Sequence, residues 1–178
     1  MLGLKRETVK LTPHHPQWKN DARDTIALLK KILGKIIVDI QHIGSTAIPH
    51  IDAKPIIDIV VGVERLEDVL PYEESLQQHG IIFRGEDRIG QFLFVIGDFT
   101  KDTRTHHIHI VPQNSNTWNN YINFRDYLTA FPSKAALYNA CKQKLAQQFA
   151  NDRKSYTQGK QKLIETLLRE AASWKQRK

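Results

Sequence analysis

One run of residues limits the fold more than any other: Ile56-Ile57-Asp58-Ile59-Val60-Val61-Gly62-Val63. Isoleucine and valine stacked without polar alternation belong to a central strand covered on both faces. A chain that contains such a strand must place helices or other layers on each side of a sheet. The run is far too short to cross a bilayer, which needs about 20 apolar residues, and Asp58 interrupts it. An ionised carboxylate is costly to bury there unless a cation, several N–H donors or an open cleft serves it. Two readings stand side by side: a structural pair with Lys54 at the strand's entrance, or a cleft facing the Gly44-Ser45-Thr46 turn.

The rest of the chain supplies the layers. Trp18, Ala22, Ile26, Leu29 and Leu33 recur at three- and four-residue steps, so the spacing predicts a helix over 16–33 with Gly34 as its stop. A β-branched, alternating segment from Lys35 to Ile43 reads as a strand, and Leu66 to His79 reads as helical, broken near Pro71. Three further strands are expected over 81–84, 92–96 and 103–111, with Gly85, Gly90, Gly97 and Asp98 marking the turns. The last third is helical: Ser115 caps a helix to Ala130, Pro132 suits a first helical turn, and Asp152 caps a final helix. The expected fold class is α+β, a mixed β-sheet covered by helices with a helical C-terminal third. Its 178 residues suit one domain over 1–178, with no internal repeat or linker.

Three groups of residues carry chemistry. Gly44-Ser45-Thr46 offers close backbone approach, main-chain N–H groups and two hydroxyls, a combination that holds phosphate oxygens, although any tight turn favours the same residues. In Thr105-His106-His107-Ile108-His109, strand alternation puts His107 and His109 on one face and His106 on the other. Two imidazoles on one strand face suit metal ligation or proton transfer, and His42 adds a third near the turn. Arg125 lies in the apolar stripe of Trp118, Tyr121, Ile122 and Leu128, and Lys160 lies between Tyr156 and Leu163. A cation on an inward helix face needs an anion, either an internal carboxylate or a ligand phosphate.

The net charge of +7 favours an anionic partner, although many of the basic residues read as solvated helix faces. A nucleotide or other phosphate-containing small molecule is the expected partner; nucleic acid is a weaker one, supported by charge alone. Cys141 is the sole cysteine, so neither an internal disulfide nor a thiolate metal cluster is available. Residues 1–10 lack an apolar signal-type segment, and a cytoplasmic protein without membrane attachment is expected.

Several stretches together resemble the GrpB family of small bacterial proteins. They are His42-Ile-Gly-Ser-Thr-Ala-Ile-Pro49, Ala53-Lys-Pro-Ile-Ile-Asp-Ile-Val60, Thr105-His-His-Ile-His109, Phe124-Arg-Asp-Tyr-Leu128 and Tyr156-Thr-Gln-Gly-Lys160. The resemblance runs from His15-Pro-Gln-Trp18 onward and implies a nucleotidyltransferase-like mixed sheet with the Gly-Ser turn at one end. A GrpB-like domain also occurs fused to dephospho-coenzyme A kinase in some bacteria, which points toward nucleotide or coenzyme chemistry. Active nucleotidyltransferases follow Gly-Ser with two carboxylates on the next strand that hold divalent metals. Here Asp58 stands first and Val60 stands where the second belongs. The resemblance therefore implies one of two things: metal-assisted nucleotidyl or phosphoryl transfer, or a binding or regulatory protein without the two-metal site. In the first, Asp58, His107 and His109 are the candidate catalytic and metal-binding residues, for Mg²⁺, Mn²⁺ or Zn²⁺. His42, Gly44, Ser45, Thr46, Lys54, Arg125 and Lys160 are the candidate phosphate-binding residues.

Overall fold

The computed structural model describes residues 2–177. In chain order the elements are β1 (Leu4–Lys5), α1 (Gln17–Leu33), β2 (Ile37–Ile43), β3 (Ile57–Val63), α2 (Glu73–Gln78), β4 (Ile82–Arg88), β5 (Gln91–Ile96), β6 (Thr103–Arg104) and β7 (His106–Pro112). Three helices follow: α3 (Asn116–Ala130), α4 (Pro132–Gln148) and α5 (Arg153–Gln176). The main sheet has the order β2-β3-β7-β5-β4, while β1 and β6 form a small antiparallel pair. Strands β3 and β7 run parallel and the remaining neighbours antiparallel, so the sheet is mixed, as expected.

The Ile/Val run becomes β3, an interior strand, and its two faces meet different partners. Ile57, Ile59, Val61 and Val63 join Ile108 and Ile110 of β7 against Trp18, Ala22, Leu29 and Leu33 of α1. Each such fully buried aliphatic side chain contributes roughly 1.5–3 kcal/mol relative to exposure. On the opposite face Val60 and Val111 pack with Ile43 beneath Trp118 of α3, flanked by Tyr121 and Ile122. A third cluster unites α3, α4 and α5 through Tyr127, Leu128, Tyr138 and Leu167, and it takes in Ile48 and Ile51 from the β2–β3 connection. The C-terminal helices are thereby fastened to the loop that carries the Gly-Ser turn.

The helix caps behave as the side chains dictate. Ser115 accepts a hydrogen bond from the Trp118 amide at 3.2 Å, and Asp152 accepts one from the Ser155 amide at 3.0 Å. Elsewhere the structure departs from expectation. Lys35 and Ile36 lie in a 3₁₀ turn that precedes β2. Residues 66–72 form a 3₁₀ segment and only 73–78 are α-helical, because Pro71 has no amide hydrogen to continue a helix. Strand β4 extends to Arg88, four residues beyond expectation, held by bulged pairing to β5 rather than by apolar alternation. The strand expected over 103–111 is split at Thr105, whose amide turns to Ile96 O at 2.8 Å while β6 pairs away with β1. No helix among the described residues is long and apolar enough to cross a membrane.

Candidate functional site

The site is built where β2 ends. Gly44 has φ 71° and ψ −172°, a conformation open in practice to glycine alone, and it starts a 3₁₀ turn over Ser45–Ala47. The turn brings Gly44 against β3, so that a Cβ at position 44 would stand 2.6 Å from Asp58 Oδ2. Thr46 is buried and its Oγ1 lies 2.9 Å from His42 Nε2. Ser45 and Thr46 face a cavity of about 490 Å³ bounded by the sheet, the turn and the C-terminal helices.

Parallel pairing of β3 with β7 sets Asp58 opposite His107 and Val60 opposite His109. His107 Nδ1 donates to Asp58 Oδ1 at 3.2 Å, and His109 Nε2 approaches the same oxygen at 3.6 Å. Burial alone would raise the Asp58 pKa. Hydrogen bonds and charge from His107 and His109 outweigh it and hold the carboxyl well below the usual range. His109 in turn lies against the Tyr121 ring at 5.2 Å. The Tyr121 hydroxyl donates to Gln91 Oε1 at 2.8 Å, and the Gln91 amide donates to Asp87 at 2.9 Å. His106 points the other way, with its Nε2 3.1 Å from Thr25 Oγ1 on α1.

Across the cavity stand cations. Lys54, Lys142, Arg153 and Lys160 all line it. Lys54 and Lys160 lie over the Tyr156 ring, 5.7 and 4.3 Å from its centroid, and Lys142 lies 4.8 Å from that of Tyr138. Burial lowers all three lysines, to about 8 for Lys54 and Lys160 and about 7 for Lys142. Mutual repulsion deepens the effect: Arg153 acts on Lys54, Lys54 on Lys160, and Lys160 on Lys142. Tyr138, pushed up to about 12 by burial, shares a hydrogen bond with Ser45, so α4 touches the turn directly.

The GrpB protein family model matches residues 8–170. The chain belongs to the GrpB family. It is 40% identical over 173 residues to the glutamate-rich protein GrpB of Alkalihalophilus pseudofirmus, covering 96% of this chain and 99% of that one. The crystal structure of conserved protein GrpB from Enterococcus faecalis superposes with a TM-score of 0.84 at 32% identity, over 91% of this chain and 96% of the other. The fold extends further. The Cid1 poly(U) polymerase, in a structure with MgGTP bound, matches with a TM-score of 0.52 at 14% identity, over 76% of this chain and 44% of Cid1. That likeness is one of fold: this chain is built on a nucleotidyltransferase-like mixed sheet.

On that sheet the residues expected from sequence divide. Gly44, Ser45, Thr46, Lys54, Asp58, His107, His109 and Lys160 converge on the cavity. His42 and Arg125 do not line it. The His42 ring serves Thr46, and Arg125 donates to the His42 carbonyl at 2.9 Å and to Asp126 through two nitrogens. Arg125 is thus a brace between α3 and β2, and the anion its inward position requires is its own neighbour. The cavity residues missed from sequence include Lys142, Arg153, Asp87, Arg88 and Tyr138. Lys142 had a readable signal: Ala135, Tyr138 and Lys142 form the buried stripe of α4 at helical spacing.

The expected metal triad also needs correction. Asp58, His107 and His109 do come together, but both imidazoles are directed at one carboxylate oxygen rather than around a shared point. Among the described residues no group of three or more His, Cys, Asp or Glu side chains is arranged to hold a metal ion. Position 60, where a second carboxylate would stand, is fully buried valine under Trp118. These residues do not fit a two-metal centre.

Proposed function

We propose that this GrpB-family chain binds a nucleotide or related phosphate compound in the cavity between the sheet and the C-terminal helices. One observation carries the reading: Lys54, Lys142, Arg153 and Lys160 converge on a cavity that also holds the Ser45 and Thr46 hydroxyls. The Asp58 carboxylate in that cavity is already engaged by two imidazoles. Among the described residues none of these four cations is ion-paired with the Asp58 or Asp87 carboxylates that also line the cavity, so it suits a ligand that brings further negative charge. Its volume of about 490 Å³ is that of a small-molecule site. Phe124, Ile164 and Leu168 provide an apolar wall for the uncharged part of such a ligand.

A catalytic reading is favoured by the pairing of Asp58 with His107. An imidazole oriented by an ionised carboxylate is equipped to move a proton during transfer or hydrolysis of a phosphate ester.

Thermal-shift measurements with nucleoside triphosphates, coenzyme A precursors and inorganic phosphates test the first reading. A ligand at about 100 times its Kd stabilises the folded chain by about 2.7 kcal/mol, which a melting curve resolves. Absence of a shift with every phosphate compound sinks the proposal. Turnover of a bound compound that Asp58→Ala abolishes would establish the catalytic reading; binding without turnover would leave a receptor.

A further inference from the structure

The two strand carboxylates that the resemblance to active nucleotidyltransferases implies are not both present here, and the cavity is constructed differently. Val60 closes the position of the second carboxylate, and Asp58 Oδ1 is committed to His107 and His109. In a two-metal site, divalent ions neutralise the ligand's phosphates and the carboxylates hold the ions. Without that cage, the countercharge must come from elsewhere.

The opposite wall supplies it. Lys142 is 1% exposed, yet it sits on the cavity-facing stripe of α4 with its aliphatic stem packed inward and its ammonium near the Tyr138 ring. The ammonium donates to the Asp52 main-chain carbonyl, which uses one of its three donors. The Asp52 carboxylate is taken by Gln143 at 2.7 Å. Lys54 and Lys160 share the Tyr156 ring. Among the described residues, none of the three lysines forms an ion pair with a carboxylate. Three ammonium groups and Arg153 around one space, with tyrosine rings beneath them, are costly to assemble unless an anion fills that space. A phosphate monoester carries a charge of only about −1.5 to −2 at pH 7, less than these four cations together.

We propose that Lys142, with Lys54 and Lys160, forms a metal-independent subsite for a di- or triphosphate group, the lysines taking the place of divalent ions. This rests on the phosphate-binding reading above. It adds that Lys142 is a ligand-binding residue, that the ligand is a polyphosphate, and that no divalent ion is required to seat it.

Isothermal titration of the full chain with inorganic tripolyphosphate, in EDTA and again in Mg²⁺, tests the inference. Binding in EDTA is expected to be at least as tight as in Mg²⁺, which competes for the probe's charge. Loss of a charge-assisted hydrogen bond weakens binding by roughly tenfold or more, so Lys142→Met is expected to do so. Lys101→Met, at an exposed lysine paired with Asp98, is expected to bind as the parent does. Lys160→Met carries the same expectation as Lys142→Met and serves if the latter fails to fold. Inorganic monophosphate is expected to bind more weakly than tripolyphosphate. Tripolyphosphate binding that appears only with Mg²⁺, or that Lys142→Met and Lys160→Met leave unchanged, overturns the subsite while leaving the phosphate reading intact. Equal affinity for monophosphate overturns the polyphosphate assignment. Absence of binding by every phosphate compound under both conditions overturns the phosphate reading and this inference together.

Discussion

Gly44 and Asp58 occupy one shared space, the glycine's missing side chain making room for the carboxylate. A Cβ at position 44 would stand 2.6 Å from Asp58 Oδ2 and 3.0 Å from Asp58 Cβ. The second contact matters most, because the Asp58 Cβ is fixed to an interior strand and cannot swing aside as a carboxylate tip can. The turn and the strand are therefore fitted to each other, and the position of Asp58 depends on a residue of another element.

Gly44→Ala is expected to lose roughly 1–3 kcal/mol of stability from the glycine-only backbone conformation, with further loss from the displaced carboxylate. Denaturant unfolding measures the first. The second is read from the ring resonances of His107, which should move when its partner is displaced. An alanine variant with parent-like stability and unmoved resonances would contradict the geometry.

Asp58→Asn tests the ionised pair. Because the folded chain keeps Asp58 below its ordinary pKa, the unfolded chain binds more protons at this group once the pH falls below about 4. The stabilisation is complete above that pH and is lost as acid titrates toward the folded value. The parent should therefore melt higher than Asp58→Asn at pH 6, and the gap should narrow from pH 4 to pH 3. Parallel melting curves across that window would remove the pair from the account.

Lys142 should show the reverse cost in the ligand-free protein. Burial, aided by Lys160, lowers it to about 7, with Asp52 opposing. Between about pH 7 and its unfolded value near 10.4, the unfolded chain holds more protons at this group, so stability rises with pH. Lys142→Met is expected to melt higher than the parent near pH 7, the difference closing toward pH 10. A variant less stable than the parent at pH 7, with a gap independent of pH, would mean the ammonium is a structural donor first.

Restoring the absent carboxylate should fail. Val60→Asp would place a second anion two residues from Asp58, in a fully buried position beneath Trp118. An unpaired buried charge costs about 3–5 kcal/mol, so the variant is expected to be strongly destabilised and not rescued by Mg²⁺. Recovery of the parent melting temperature on adding Mg²⁺ would show that the metal centre is one substitution away.

Much of this was readable in the chain. The Ile/Val run placed β3 inside the sheet, and alternation separated His106 from His107 and His109, as their contacts with Thr25 and Asp58 bear out. The distance between Asp58 and His107 was not readable, because it follows from parallel register between strands 49 residues apart. Arg125 was read correctly as inward, but it does not line the cavity: its acceptors include the His42 carbonyl, and main-chain oxygens leave no trace in residue identity. Lys142 follows the same inward-stripe spacing as Lys160 but lies in α4, outside the motif-bearing segments. The β1–β6 pair depends on two-residue strands, too short for any periodicity to register.

The two walls of the cavity come from distant parts of the chain. Asp58 and the Gly44 turn belong to the first half, whereas Lys142, Arg153 and Lys160 arrive on α4 and α5. Contacts of such long sequence separation are slow to form, and synthesis runs from the N-terminus. A nascent chain can pair β2 with β3 long before it owns the cations that complete the cavity. On the proposed function, the capacity to bind a phosphate ligand is thus acquired last, when α5 docks, and a chain ending before Arg153 would carry the Asp58 wall without the Arg153 and Lys160 cations that face it.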